Sequence, residues 1–138
     1  MKKIILSFIM LAMHTISFAQ DSLTFKGYIH NDEYKVYIKM NFYDKNIVVP
    51  DQQIFGELPG YFGSKNDSRK WLFTDVEIKD KTTAQISIIN DYGSEDLVAT
   101  LKLLPDGSYE LIQNEGSTLK IVEKRKWVKI PKKIKLTR

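Results

Sequence analysis

Residues 34–43 alternate strictly between apolar and polar side chains, and that alternation restricts the fold of the chain more than any other feature. Val36, Ile38, Met40 and Phe42 fall on one face, while Lys35, Tyr37, Lys39, Asn41 and Tyr43 fall on the other. A period of two is the signature of a strand with one face in a core and the other in water. The pattern recurs along the chain. Leu23, Phe25 and Ile29 open it, Leu72, Val76 and Ile78 continue it, and Ala84, Ile86 and Ile88, then Leu97, Ala99, Leu101 and Leu103, repeat it. Further strands are expected at 47–49, 109–113, 118–122, 127–130 and 134–136. No helical stripe interrupts them, so the expected class is all-β: a single antiparallel meander of about eight or nine strands forming a small barrel or sandwich.

The connections carry turn chemistry. Pro105, Asp106 and Gly107 suit a tight turn because proline presets the first angle and glycine accepts a positive φ. His30, Asn31, Asp32 and Glu33 read as the polar turn of a first hairpin, and Asn114, Glu115, Gly116 and Ser117 as a later one. The exception is residues 51–68, where Gly56, Pro59, Gly60 and Gly63 mix with Ile54, Phe55, Leu58, Tyr61 and Phe62. A loop of that length is often functional. Phe55, Tyr61 and Phe62 are therefore candidates to cover the mouth of a barrel, the alternatives being a further strand at 54–58 or a plug of aromatics at one end.

The first nineteen residues read as an export signal. Lys2 and Lys3 precede an apolar run at 4–13, and Ser17 and Ala19 are small residues at the positions a signal peptidase reads. Cleavage after Ala19 would leave residues 20–138 as one β-domain with a basic terminal segment at 119–138, working in the periplasm or outside the cell. The run is too short for a membrane span, which needs about 20 apolar residues, and no later stretch reaches that length. There is no cysteine. That excludes a disulfide scaffold, a thiol nucleophile and a thiolate metal site.

Signs of catalysis are few. His30 is the only histidine after the leader, and no Gly-x-Ser-x-Gly elbow accompanies it. Asp75 with Glu77, Asp32 with Glu33 and Glu95 with Asp96 are pairs of carboxylates without a diagnostic pattern, read as solvated charges. Asn90, Asp91, Glu95 and Asp96 surround Gly93 but lack the spacing of a calcium loop. The expectation is a non-enzymatic protein with no cofactor and no metal.

Charge is distributed unevenly. Residues 119–138 hold nine basic groups against Glu123 alone, whereas residues 20–118 are net acidic. Lys124, Arg125 and Lys126 stand beside Trp127, and Lys129, Lys132 and Lys133 follow among apolar residues. Such a surface could hold a protein or an anionic envelope component, the charges steering encounter and the aromatic supplying contact area. The plainer reading is that these lysines guard an exposed strand edge or pack against the acidic body. Nucleic acid would suit the charges, but export makes it a poor partner. Tyr37, Lys39 and Tyr43, on the wet face of one strand, form a second possible contact surface.

The leader, the Phe25-Lys26-Gly27-Tyr28-Ile29 opening, the strand at 34–43 and the Leu104-Pro105-Asp106-Gly107-Ser108-Tyr109 hairpin resemble short exported bacterial β-rich proteins of unknown function. That resemblance implies a small barrel and no activity. The leading functional expectation is thus a binding protein that engages a macromolecular partner, inhibition or neutralisation being one form. The alternative is a carrier that holds a small apolar ligand inside the barrel.

Overall fold

A computed structural model describes residues 23–138; the export signal expected at 1–19 and the expected cleavage after Ala19 lie outside the described residues. Eight strands form one antiparallel sheet: β1 (Lys26–Asn31), β2 (Val36–Asn41), β5 (Gly60–Ser64), β6 (Asp67–Ile78), β7 (Thr83–Asn90), β8 (Asp96–Leu103), β9 (Tyr109–Gly116) and β12 (Lys133–Leu136). Two small ribbons are inserted into the meander. β3 (Ile47–Val48) pairs with β4 (Glu57–Leu58), and β10 (Lys120–Glu123) pairs with β11 (Lys126–Lys129). The class is therefore all-β, with an eight-stranded meander that curls almost into a closed barrel, as the alternation predicts.

Closure rests on a short seam between the first and last strands. His30 and Thr137 exchange both backbone hydrogen bonds at 2.8 Å, and Asn31 Nδ2 donates to the Lys135 carbonyl at 2.8 Å. Beyond that bridge the Arg138 guanidinium takes over. It donates to the carbonyls of Lys26 at 3.0 Å and Leu23 at 2.8 Å, and to the Tyr109 hydroxyl at 2.8 Å. The planar fork of arginine can serve several acceptors at once, so one side chain spans the gap that strand pairing leaves open. The Tyr109 hydroxyl donates in turn to the Thr24 carbonyl, and burial raises its pKa above the usual phenol value.

The interior is a side-chain core. Phe25, Ile29, Ile38, Phe62, Phe73, Ile86, Leu101 and Leu111 are each 0% exposed, within one continuous apolar cluster. A water-sized void beside any of them would leave part of its surface accessible. Among the described residues, these side chains pack the inner wall with no water-sized void beside them, because large side chains from neighbouring strands meet across a barrel of this strand number.

The segment at 51–68 is mostly not a loop. After the short 3₁₀ turn η1 (Gln53–Phe55), residues 57–58 form β4, residues 60–64 form β5, and β6 begins at Asp67. Two glycines allow the barrel to include this stretch. A Cβ on Gly60 would lie 2.4 Å from the Lys39 carbonyl oxygen, and one on Gly63 would lie 2.8 Å from the Tyr37 ring. Glycine within a strand often marks such close approach rather than a break. Similarly, β1 runs through His30 and Asn31, so the first turn is displaced to residues 32–35.

Candidate functional site

The basic segment becomes a hairpin that caps one end of the barrel. Leu119, Ile121 and Ile130 are buried in the main core, with Val128 packed against it. Cross-strand pairing places Ile121 opposite Val128 on that inner face, and Val122 opposite Trp127 and Lys120 opposite Lys129 on the outer one. Gln113 of β9 fastens the base. Its side-chain carbonyl accepts from the Leu119 N–H at 2.7 Å, and its Nε2 donates to the carbonyls of Ile130 at 3.2 Å and Pro131 at 3.1 Å. Trp71 Nε1 adds a bond to the Lys120 carbonyl at 3.1 Å.

Trp127 is 59% exposed on the outer face, yet its ring is not bare. The Arg69 guanidinium lies 5.3 Å and the Lys120 ammonium 5.2 Å from the ring centroid, distances at which the ring quadrupole attracts a cation. Each cation is positioned by an acid: Arg69 donates to Asp67 at 2.9 Å, and Lys120 meets Glu95 at 3.1 Å. Sequence reasoning singled out Trp127 but missed these partners. Lys120 belongs to the ribbon, but Arg69 and Asp67 come from the start of β6 and Glu95 from the β7–β8 turn, so only the closed barrel brings them together.

The hairpin tip has an unusual backbone. Lys124 and Arg125 occupy the two turn positions between paired Glu123 and Lys126, with φ values of 50° and 66°. A two-residue turn with both angles positive is cheapest with Asn-Gly, since a β-carbon is crowded in the left-handed region. Lysine also adopts this region singly, at Lys35 and Lys45. Consecutive long cations here put two charges at the most protruding point of the ribbon.

The expected neutralisation of these lysines by the acidic body is limited. Lys120 pairs with Glu95, and Lys135 Nζ meets Asp106 Oδ2 at 2.8 Å. Among the described residues no carboxylate lies within 4 Å of Lys124, Arg125, Lys126, Lys129, Lys132 or Lys133. Edge protection shifts from the last strand to the ribbon, since each strand of the two-stranded β10–β11 sheet has one unpaired edge and Lys126 and Lys129 lie on β11. β12 pairs with β9 on one side and approaches β1 on the other, and Lys124–Lys126 belong to a separate ribbon. The tip residues therefore share one ribbon with Trp127 and Lys129, while Lys132 and Lys133 follow at the start of β12.

Asp106 shows what a satisfied pair looks like in this fold. Hydrogen bonds from Lys135 and then from the Ser108 hydroxyl and N–H hold its carboxyl well below the usual carboxylate range. A depressed folded-state pKa contributes stability above the unfolded value, and that contribution disappears as pH falls through the folded value. Lys135→Met is expected to move the Asp106 titration upward toward the ordinary carboxylate range, so that its contribution is lost at a higher pH. Carboxyl-carbon NMR across an acid titration measures this, and an unmoved midpoint would show that Ser108 alone sets it.

The loop candidates separate. Phe62 enters the core between Ile38 and Trp71, its partners on neighbouring strands. Tyr61 points to the other face and is buried with Val49 and Leu72 beneath Ile47 and Leu58 of the β3–β4 ribbon. Only Phe55, on η1, is exposed, next to Ile54 at 91% exposure. The three do not form a common lid. In the second candidate surface Tyr37 and Lys39 remain together on β2, whereas Tyr43 lies beyond the strand and its hydroxyl accepts the Phe25 N–H at 3.0 Å.

Possible catalytic and metal groups are dispersed. His30 Nδ1 meets Asp32 Oδ1 at 2.7 Å. The Asn90 side chain is occupied with the backbone N–H groups of Ser94 and Glu95, organising its own turn. Among the described residues no cluster of three histidine or acidic side chains is placed to hold a metal ion, and no helix is long and apolar enough to cross a membrane. No protein-family model matches the chain, and neither the curated proteins nor the solved structures give a match.

Proposed function

We propose that the chain is an exported binding protein whose β10–β11 hairpin engages an acidic face of another protein. The observation that carries this reading is the tip: Lys124 and Arg125 occupy consecutive left-handed positions with no carboxylate within 4 Å among the described residues. A backbone that accepts strain to present particular side chains supports a functional role for them. Trp127 adds a large, half-exposed ring that Arg69 and Lys120 hold in place, a suitable anchor at the centre of an interface. Lys126, Lys129, Lys132 and Lys133 would then supply steering charges around it. Such binding could neutralise an enzyme or toxin by covering its surface, with no chemistry of its own.

Replacing Lys124-Arg125 by Asn-Gly separates stability from binding. The variant is expected to gain about 1–2 kcal/mol in unfolding free energy, because glycine removes the β-carbon at 125 and asparagine tolerates the left-handed region at 124 better than lysine does. It should also lose most of the protein retained from envelope extract at low salt, and retention by the original chain should fall as salt screens the contact. Undiminished retention by the Asn-Gly variant would overturn the assignment of this surface.

A further inference from the structure

A concave surface apart from the hairpin lies on the outer face of β1, β2 and β5, and it shares no lining residue with the hairpin. It is a groove of about 700 Å³. One tyrosine from each strand lines its floor, Tyr28 exposed, Tyr37 half-buried and Tyr61 buried at its base. Tyr28 stacks on Tyr37 with ring centroids 5.4 Å apart and planes at 25°, and Tyr37 meets Tyr61 edge-on at 5.8 Å. Gly63 leaves space for the Tyr37 ring against the sheet. Tyr28 keeps 44% of its surface exposed. Burial, and then the neighbouring Tyr61 and Tyr28, push the Tyr37 pKa upward, so its hydroxyl stays protonated.

The walls are polar. Lys39 stands opposite Tyr28 in one ladder and opposite Tyr61 in the next, and Lys26 lies at the start of β1. Neither lysine has a carboxylate within 4 Å among the described residues. Asn46 is exposed on another wall, together with Asp44, whose carboxylate accepts from Asn41 Nδ2 at 3.1 Å. Ile47 of the β3–β4 ribbon completes the enclosure.

We infer that this groove binds an acidic oligosaccharide, with sugar rings on the tyrosine floor and sugar carboxylates at Lys26 and Lys39. An aromatic floor with a few placed polar groups is the usual make-up of a small-ligand site. The apolar C–H face of a pyranose matches an exposed phenol ring, and its hydroxyls need both the donors and the acceptors that tyrosine, Asn46 and Asp44 provide. The two ammoniums select for negative charge. A peptide fits less well: β2 is paired with both β1 and β5, so its backbone offers no edge on which another strand could add.

The test is titration of the full chain with a galacturonic acid tetramer, followed by backbone amide NMR, with maltotetraose as the uncharged control and polyglutamate as the peptide control. The tetramer should give saturable shifts at Tyr28, Tyr37, Lys39, Asn46 and Tyr61, and maltotetraose weaker ones. Tyr28→Ala and Lys39→Gln should each weaken tetramer binding by about tenfold or more; both alter exposed side chains, and unchanged spectra elsewhere confirm the fold. The Asn-Gly hairpin variant should bind the tetramer as the original chain does, so failure of the hairpin surface and failure of the groove are read separately. Absence of saturable groove shifts at millimolar tetramer, shifts confined to residues 124–133, equal groove shifts with polyglutamate, or full affinity in Tyr28→Ala would each overturn the inference.

Discussion

Truncation of Phe62 to alanine is expected to lower the unfolding free energy by about 3–5 kcal/mol, the range for a large aromatic removed from a packed core. Phe62 is wholly buried, and its strand partners Ile38 and Trp71 are core residues too. Little of the cavity can be refilled, because the opposing side chains sit on strands fixed by ladders on both sides. Urea unfolding followed by tryptophan fluorescence should show a midpoint lowered by roughly 1 M or more. Phe55→Ala provides the contrast. That ring lies on the exposed η1 turn, and its loss should cost less than about 1 kcal/mol. Equal and small effects at both positions would mean that Phe62 is a covering residue, as its glycine-rich surroundings suggest, rather than part of the core.

Gln113→Leu should uncouple the hairpin from the barrel. The substitution retains an apolar volume but leaves the buried Leu119 N–H without an acceptor and removes the donor to the Ile130 and Pro131 carbonyls. An unsatisfied buried group costs about 1–3 kcal/mol. Because these bonds join β9 to the base of the ribbon, the loss should appear there first. Hydrogen exchange should speed up by about thirtyfold or more at the paired amides of β10 and β11, equivalent to about 2 kcal/mol, while β7 and β8 keep their protection. Binding through the hairpin should weaken even though no charged residue is altered. Uniformly faster exchange would instead show that the hairpin and barrel open as one unit.

The alternation of Val36, Ile38, Met40 and Phe42 was sufficient to identify a core-facing strand, and all four are buried. Strands with clean alternation on either side of a turn were legible in the same way. Residues 57–64 were harder because Pro59, Gly60 and Gly63 carry the composition of a loop. Their glycines instead answer to the Lys39 carbonyl and the Tyr37 ring, contacts across strands that local composition does not encode. Gln113 had a signal that could have been followed: it is in phase with inward-facing Tyr109 and Leu111, and a polar side chain at an inward position needs a partner. Of the cations around Trp127, Lys120 lies within the same basic segment, but Arg69 had no such signal. Arg69 and Glu95 are distant in sequence, and their proximity to the ribbon depends on which turns gather at one end of the barrel. The tyrosine groove was half visible, since Tyr37 and Lys39 shared a wet face, but Tyr28 and Tyr61 join them only through register.

The base of the hairpin also defines an exchangeable part. The Ile130 N–H bonds to the Leu119 carbonyl at 2.8 Å, and Gln113 binds both flanks of that junction. Everything between 119 and 130 thus leaves and re-enters the barrel at one fixed gate. With Ile121 and Val128 kept on the inner face, a tip of different length or sequence could be grafted between Glu123 and Lys126 while the eight-stranded frame keeps its register. Variation could then accumulate at the tip and alter the proposed binding surface, with the frame unchanged.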